Sequence, residues 1–166
     1  MNFETVLTYV VLVLIVILAA IILNGIESYN KKNESKMSFM EGINLTGLPI
    51  VSFKIDDKVY NFLLDTGSDL SVINSTVLNK LTNTLVNKKC SISGMEGNSQ
   101  EVGFTRIKLS YKNISFEEEF QTVNMDAAFN NIKQNYGVSI IGILGSEFFR
   151  RNKYVLDFKD LIAYLK

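Results

Sequence analysis

Residues 5–23, TVLTYVVLVLIVILAAIIL, pass without one charged side chain. A helix that is apolar on every side has no face to turn to water, so this stretch has no place on the surface of a small globular fold. About 19 residues rising about 1.5 Å each just cover a hydrocarbon layer of about 30 Å, and the run therefore reads as a membrane span within an anchor, residues 1–24. A cleaved signal peptide fits worse. Glu4 and no Lys or Arg precede the run, the run exceeds the usual apolar length of about 7–15 residues, and no small-x-small cleavage site follows. Lys31, Lys32 and Lys36 lie after the span, which by the positive-inside tendency leans the large domain to the cytoplasmic side of a single-pass protein.

Residues 25–42 are polar and lack a sustained period, so they read as a flexible tether. Roughly 120 residues remain, 43–166, enough for one small domain with a single core. The 166-residue chain has a formal net charge of zero, and nothing in its electrostatics points to nucleic acid. It contains no histidine and one cysteine, Cys90. Ser-His-Asp and Cys-His catalysis, an intrachain disulfide and a thiolate zinc site are all excluded within one chain. Cys90 reads as a small strand or core residue.

The domain reads as mostly strand. Residues 48–55 and 59–64 flank an Asp56-Asp57 turn, and this hairpin delivers Asp65 at its far end. Residues 71–73 lead to Asn74 and Ser75, caps for a short helix over 76–81. Strands over 89–93 and 100–109 flank Gly94-Met95-Glu96-Gly97-Asn98, and a further hairpin turns at Lys112-Asn113 into 114–123. A short helix over 126–134 takes Asp126 as its cap. Apolar 139–145, a helical turn over 146–151, and a hairpin pairing 154–158 with 161–165 close the chain. Short strands joined by tight turns predict a closed or sandwiched β structure.

Within that plan, Leu63-Leu64-Asp65-Thr66-Gly67-Ser68 puts one carboxylate at the end of an apolar strand, with Leu70, Val72 and Ile73 marking the other flank as core. The turn is expected to sit deep, with its acid partly desolvated. This motif, the Ile-Ser-Gly-Met-Glu-Gly hairpin of residues 92–97, and Ile143-Leu144-Gly145 followed by a short helix and a terminal hairpin resemble the retropepsin-like aspartic proteases in content and order. The resemblance covers residues 48–165 and is strongest to single-domain members with an amino-terminal membrane helix. It implies a closed β-barrel of the acid protease fold with short helices.

The resemblance also implies a chemistry. Two carboxylates about 3 Å apart share one proton, the ionised member activating a water and the protonated member hydrogen-bonding the scissile carbonyl. The chain holds one Asp-Thr-Gly, so a homodimer in which each copy contributes Asp65 follows. Thr66 would bond across the two-fold axis, Gly67 would let the backbone turn beneath the carboxylates, and Ile143, Leu144 and Gly145 would pack under the loop. Ser68 is expected to donate to the outer oxygen of Asp65. Gly94, Met95 and Gly97 would form the mobile tip of a flap over a peptide or protein substrate. No cofactor or metal is called for.

Other features have plainer readings. Glu117-Glu118-Glu119 reads as a solvated edge that resists strand addition. Asp69 is expected outside, bonded to backbone, and Asp157 in a structural or dimer-facing role. The Asn-x-Ser/Thr sequences at Asn33, Asn44, Asn74 and Asn113 carry meaning only on an extracytoplasmic domain. The function expected is a membrane-anchored homodimeric aspartic endopeptidase, held in the bilayer through residues 5–23. A dimeric peptide-binding scaffold on the same fold is the alternative, since fold alone does not establish function, and a small membrane subunit that only assembles with partners is a third.

Overall fold

In the computed structural model, residues 2–93 and 99–165 are described. The chain divides into two units, Met1–Glu34 and Ser35–Lys166. The first is one helix, α1 (Phe3–Glu34), whose segment Leu7–Asn30 is long and apolar enough to cross a membrane.

The second unit begins earlier than expected, and residues 25–42 are not a loose tether. Helix α1 runs to Glu34, and the next residues enter the β fold: β1 (Met37–Ser38) leads to α2 (Met40–Thr46). Met37 and Phe39 are fully buried, the Phe39 N–H donates to the Leu161 carbonyl at 3.0 Å, and the Tyr154 hydroxyl donates to the Ser35 carbonyl at 3.1 Å. Burial, with Tyr111 nearby, pushes the Tyr154 phenol up to about 12. The polar neighbours of Met37 and Phe39 hid their period-two alternation, which is a strand signal.

From α2 the chain builds β2 (Ile50–Ile55) and β3 (Lys58–Leu64). Asp56 (φ 49°) and Asp57 (φ 64°) both turn left-handed between them, the geometry that matches the right-handed twist of a tight hairpin and that Asp tolerates better than most residues. Next come β4 (Ser71–Asn74) and the short helix expected here, which is a 3₁₀ helix over Ser75–Lys80. Strands β5 (Thr84–Ser93), β6 (Ser99–Tyr111) and β7 (Ile114–Val123) follow. β5 starts well before residue 89, and its register shifts between Val86 and Lys89. The rest is α3 (Asp126–Tyr136), β8 (Ile140–Leu144), α4 (Ser146–Asn152) and the hairpin β9 (Tyr154–Asp157) with β10 (Ile162–Leu165).

A seven-stranded sheet runs β2-β3-β8-β4-β7-β6-β5, and β2 also meets β6 at Lys54 and Ser110, closing the sheet on itself with β5 outside the ring. The expected mostly β, closed architecture with short helices is present. A three-stranded sheet, β1-β10-β9, forms apart from it, so the terminal hairpin gains a strand from the start of the unit. The ring is filled by aromatic side chains: Phe53 lies 5.8 Å from Phe62, 6.0 Å from Phe116 and 6.4 Å from Phe148 between centroids. Each buried ring contributes about 1.5–3 kcal/mol of transfer free energy. A second cluster, Ile50, Val72, Phe129, Ile140 and Ile143, lies beneath α3.

Two polar assignments are corrected. Met125, not Asp126, stands at the cap of α3; the Asp126 carboxylate instead accepts from Asn74 Nδ2 and the Thr76 hydroxyl, both at 2.8 Å. Those two bonds hold its pKa below the usual carboxylate value. Nor is residues 117–119 an exposed edge, because β7 is flanked by β4 and β6. Glu117 is solvated, but Glu118 is 2% exposed, in the inward phase shared with Phe116 and Phe120.

Candidate active site

The Asp65 loop joins β3 to β4, and β8 threads between these two strands. β8 pairs in parallel with β3 (Leu63 with Ile143, Leu64 with Leu144) and antiparallel with β4 (Val72 with Ile143). Ile143 and Leu144 are buried, and the Leu144 carbonyl accepts the Asp65 N–H at 3.0 Å. The apolar-apolar-Gly segment therefore lies directly under the loop.

Gly145 is dictated by space. A Cβ there would stand 2.6 Å from the Leu70 carbonyl carbon and oxygen and 2.8 Å from the Ser68 carbonyl oxygen, closer than any side chain permits. The loop carbonyls in turn satisfy the first amides of α4: Ser146 N–H donates to Ser68 O at 2.8 Å and Glu147 N–H to Asp69 O at 3.0 Å. Helix-start amides have no partner within their own helix, so this docking serves both elements.

Within the loop, the Gly67 N–H donates to Asp65 Oδ1 at 2.9 Å and the Ser68 N–H to the Asp65 carbonyl at 3.3 Å. A Cβ on Gly67 would sit 3.1 Å from Asp65 Oδ1, so glycine lets the carboxylate fold back over its own loop. The expectation of a deep turn is corrected: Asp65 is half-buried, and Thr66 and Gly67 are exposed at the tip. Apolar flanks bury the strands that carry a turn, but not the turn itself.

Ser68 is also corrected. Its hydroxyl donates to the Leu70 carbonyl at 2.7 Å, and a hydroxyl has one proton to give. It braces the loop and leaves Asp65 alone. Asp69 is exposed as expected, while Asp157 accepts the Lys159 and Asp160 N–H groups and so shapes the terminal turn. Cys90 lies on β5, half-buried, with Gln121 Nε2 3.1 Å from its sulfur.

The hairpin expected to serve as a flap is β5–β6, paired up to Ser93 and Ser99. Its expected tip residues, Gly94, Met95 and Gly97, lie outside the described residues. Ser71 escaped the sequence reading, yet it is 1% exposed and its hydroxyl accepts the Gly145 N–H at 3.2 Å. A signal was available, since Ser71 is a polar residue at the start of an apolar strand directly after the motif.

With strand, loop and helix in place, the family model described as aspartyl protease matches residues 51–148, a span that starts in β2 and ends in α4. The chain belongs to the aspartyl protease family. The matched span contains the Asp65 loop, the β5–β6 hairpin and the Ile143-Leu144-Gly145 segment. Among solved structures, the chain is similar to an EIAV protease complexed with the inhibitor HBY-793, at 23% identity and a TM-score of 0.45, over 65% of this chain and 90% of that one. No curated protein sequence matches it.

Proposed function

We propose that this chain is a membrane-anchored aspartic endopeptidase, active as a homodimer in which two Asp65 carboxylates share one proton across a two-fold axis. The observation that carries the reading is the Asp65 loop. Backbone bonds to β8 and α4 hold it, its acid stays half-exposed, and each chain has one such motif. A second copy supplies the second acid.

In that dimer the ionised Asp65 takes a proton from water as the water oxygen attacks the scissile carbonyl carbon. The protonated Asp65 gives its proton to the carbonyl oxygen. As the resulting diol collapses, one of its hydroxyls returns a proton to the Asp65 that had donated one, the C=O bond re-forms and the C–N bond breaks, and the proton taken from water passes to the leaving amine. Thr66 bonds to its counterpart across the axis, Gly67 admits the tight carboxylate approach, and Ser68 braces the loop through Leu70. Ile143, Leu144 and Gly145 support it from below, and Gly94, Met95 and Gly97 close over the peptide. Residues 5–23 in a bilayer raise the effective concentration of monomers, favouring a dimer that is weak in dilute solution. The lysines after the span favour a cytoplasmic domain, and the anchor favours a membrane-proximal protein as substrate.

The test is incubation of the full-length chain, in detergent micelles, with a diverse peptide mixture from pH 4 to 8, beside Asp65→Asn. Cleavage by wild type that is lost in the variant supports the enzyme. Peptide retention without cleavage by either protein supports the scaffold instead.

A further inference from the structure

Glu118 is a buried carboxylate to which the proposed chemistry gives no role. It sits on β7 at 2% exposure, between Phe116 and Phe120. Burying an ionised acid costs several kcal/mol unless it is paired and hydrogen-bonded, so a lone acid at this position would be selected against on stability alone. Here both oxygens are engaged. The Arg151 guanidinium of α4 donates to Oε2, and the Ser71 hydroxyl of β4 donates to Oε1 at 2.8 Å.

The second bond has a directional consequence. An ionised carboxylate can only accept, so Ser71 must spend its single proton on Glu118, which leaves a lone pair of the hydroxyl oxygen for another donor. That donor is the Gly145 N–H, at 3.2 Å. Gly145 follows Leu144, whose carbonyl receives the Asp65 N–H, and it backs onto the carbonyls of Ser68 and Leu70. One carboxylate thus joins β7, the start of β4 and the β8–α4 junction, and the latter two are the ends that grip the Asp65 loop.

We propose that Glu118 is a positioning residue: charge-paired with Arg151, it orients the Ser71 hydroxyl to clamp Gly145 beneath the Asp65 loop and so sets the height and angle of the Asp65 carboxylate. The inference rests on the catalytic reading of Asp65 for its consequence, but the clamp itself has a readout of its own. Arg151 is 44% exposed in its side chain, so it can be hydrated when its partner is removed, and the variants below are expected to fold.

The experiment uses the full-length chain in detergent micelles, with amide exchange at Gly145 followed by NMR, and kcat and KM measured on a single peptide that wild type cleaves from the mixture. Glu118→Leu and Ser71→Ala are expected to speed exchange at Gly145 while leaving the β6–β7 ladder amides protected. They should lower kcat about tenfold or more with KM within about twofold, the pattern of a misplaced reacting group. Ser71→Thr keeps the hydroxyl and should retain both readouts. The pair Glu118→Leu with Arg151→Leu should regain the thermal midpoint lost in Glu118→Leu but not the kcat or the Gly145 protection. The proposal is overturned if Gly145 exchange is unchanged in Ser71→Ala, if kcat there stays within about twofold of wild type, or if the double variant recovers kcat together with its midpoint. Should wild type and Asp65→Asn cleave alike, the catalytic reading fails, and Gly145 exchange alone then decides the clamp.

Discussion

Asp65 and Glu118 are both carboxylates on apolar strands or their ends, and the fold treats them oppositely. Asp65 stands half-exposed on its loop, bonded through Oδ1 to the Gly67 amide of its own turn. Glu118 is buried, with a guanidinium on one oxygen and a hydroxyl on the other. An acid that must exchange protons with a partner acid and a water needs access and no permanent cation. An acid that only organises its surroundings is best neutralised where it lies. The pairing of charges, more than the residue type, separates the two environments and the role proposed for each.

The sharpest way to break this contrast is at Asp65. Asp65→Asn should lower peptide cleavage by about 10²- to 10⁴-fold, while the thermal midpoint moves little because the carboxylate makes no buried pair; a large loss of stability would show that Asp65 is structural after all. Glu118→Ala should add to its loss of activity a loss of stability that Asp65→Asn lacks. It removes the acceptor of the Ser71 hydroxyl and the partner of Arg151, and a cost of about 1–3 kcal/mol is expected in denaturant titrations; a neutral result would mean that the buried acid is bystander packing.

Ser68 sharpens the comparison at a smaller scale. Because its hydroxyl donates to Leu70 and not to Asp65, Ser68→Ala should cost about 0.5–1.5 kcal/mol and leave the pH dependence of activity where it was. A profile displaced upward would restore the bond to Asp65 in the proposed dimer.

Asp126 lies between the two extremes, half-buried like Asp65 but accepting from two side chains, Asn74 and Thr76. Its folded pKa lies below the ordinary 3.8, so the unfolded chain binds its proton first. The stability it adds is full above pH 3.8 and fades as pH falls through the lower folded value. The thermal midpoints of wild type and Asp126→Asn should therefore differ at neutral pH and converge in acid. Equal midpoints throughout would show that its two bonds carry no net weight.

Much of the architecture was legible in the residues. Alternating apolar strands, the Asp56-Asp57 turn, the glycine-flanked hairpin and the order of the three motifs are local signals, because each depends on neighbours a few positions away. The helix of residues 5–23 was equally plain, since an uncharged run needs no tertiary context to be recognised. Signals of phase were harder. Met37 and Phe39 alternate in a polar stretch too short to show a period, and only pairing with β10 makes them core. The short helix after β4 is a 3₁₀ helix, a distinction that no residue pattern over Ser75–Lys80 announced.

By itself the sequence determined that one Asp-Thr-Gly is present, that no histidine-dependent catalysis is open to a single chain, and that its one cysteine forms no disulfide within that chain. Those conclusions follow from residue identity and count, which folding does not alter. Only the tertiary structure decided where each polar atom points. It turned Ser68 to Leu70, brought Ser71 to Gly145, and buried Glu118 against Arg151, 33 positions away in the chain. A hydrogen bond is set by the direction and distance of groups that meet only when strands close around a core, and no linear pattern records that meeting.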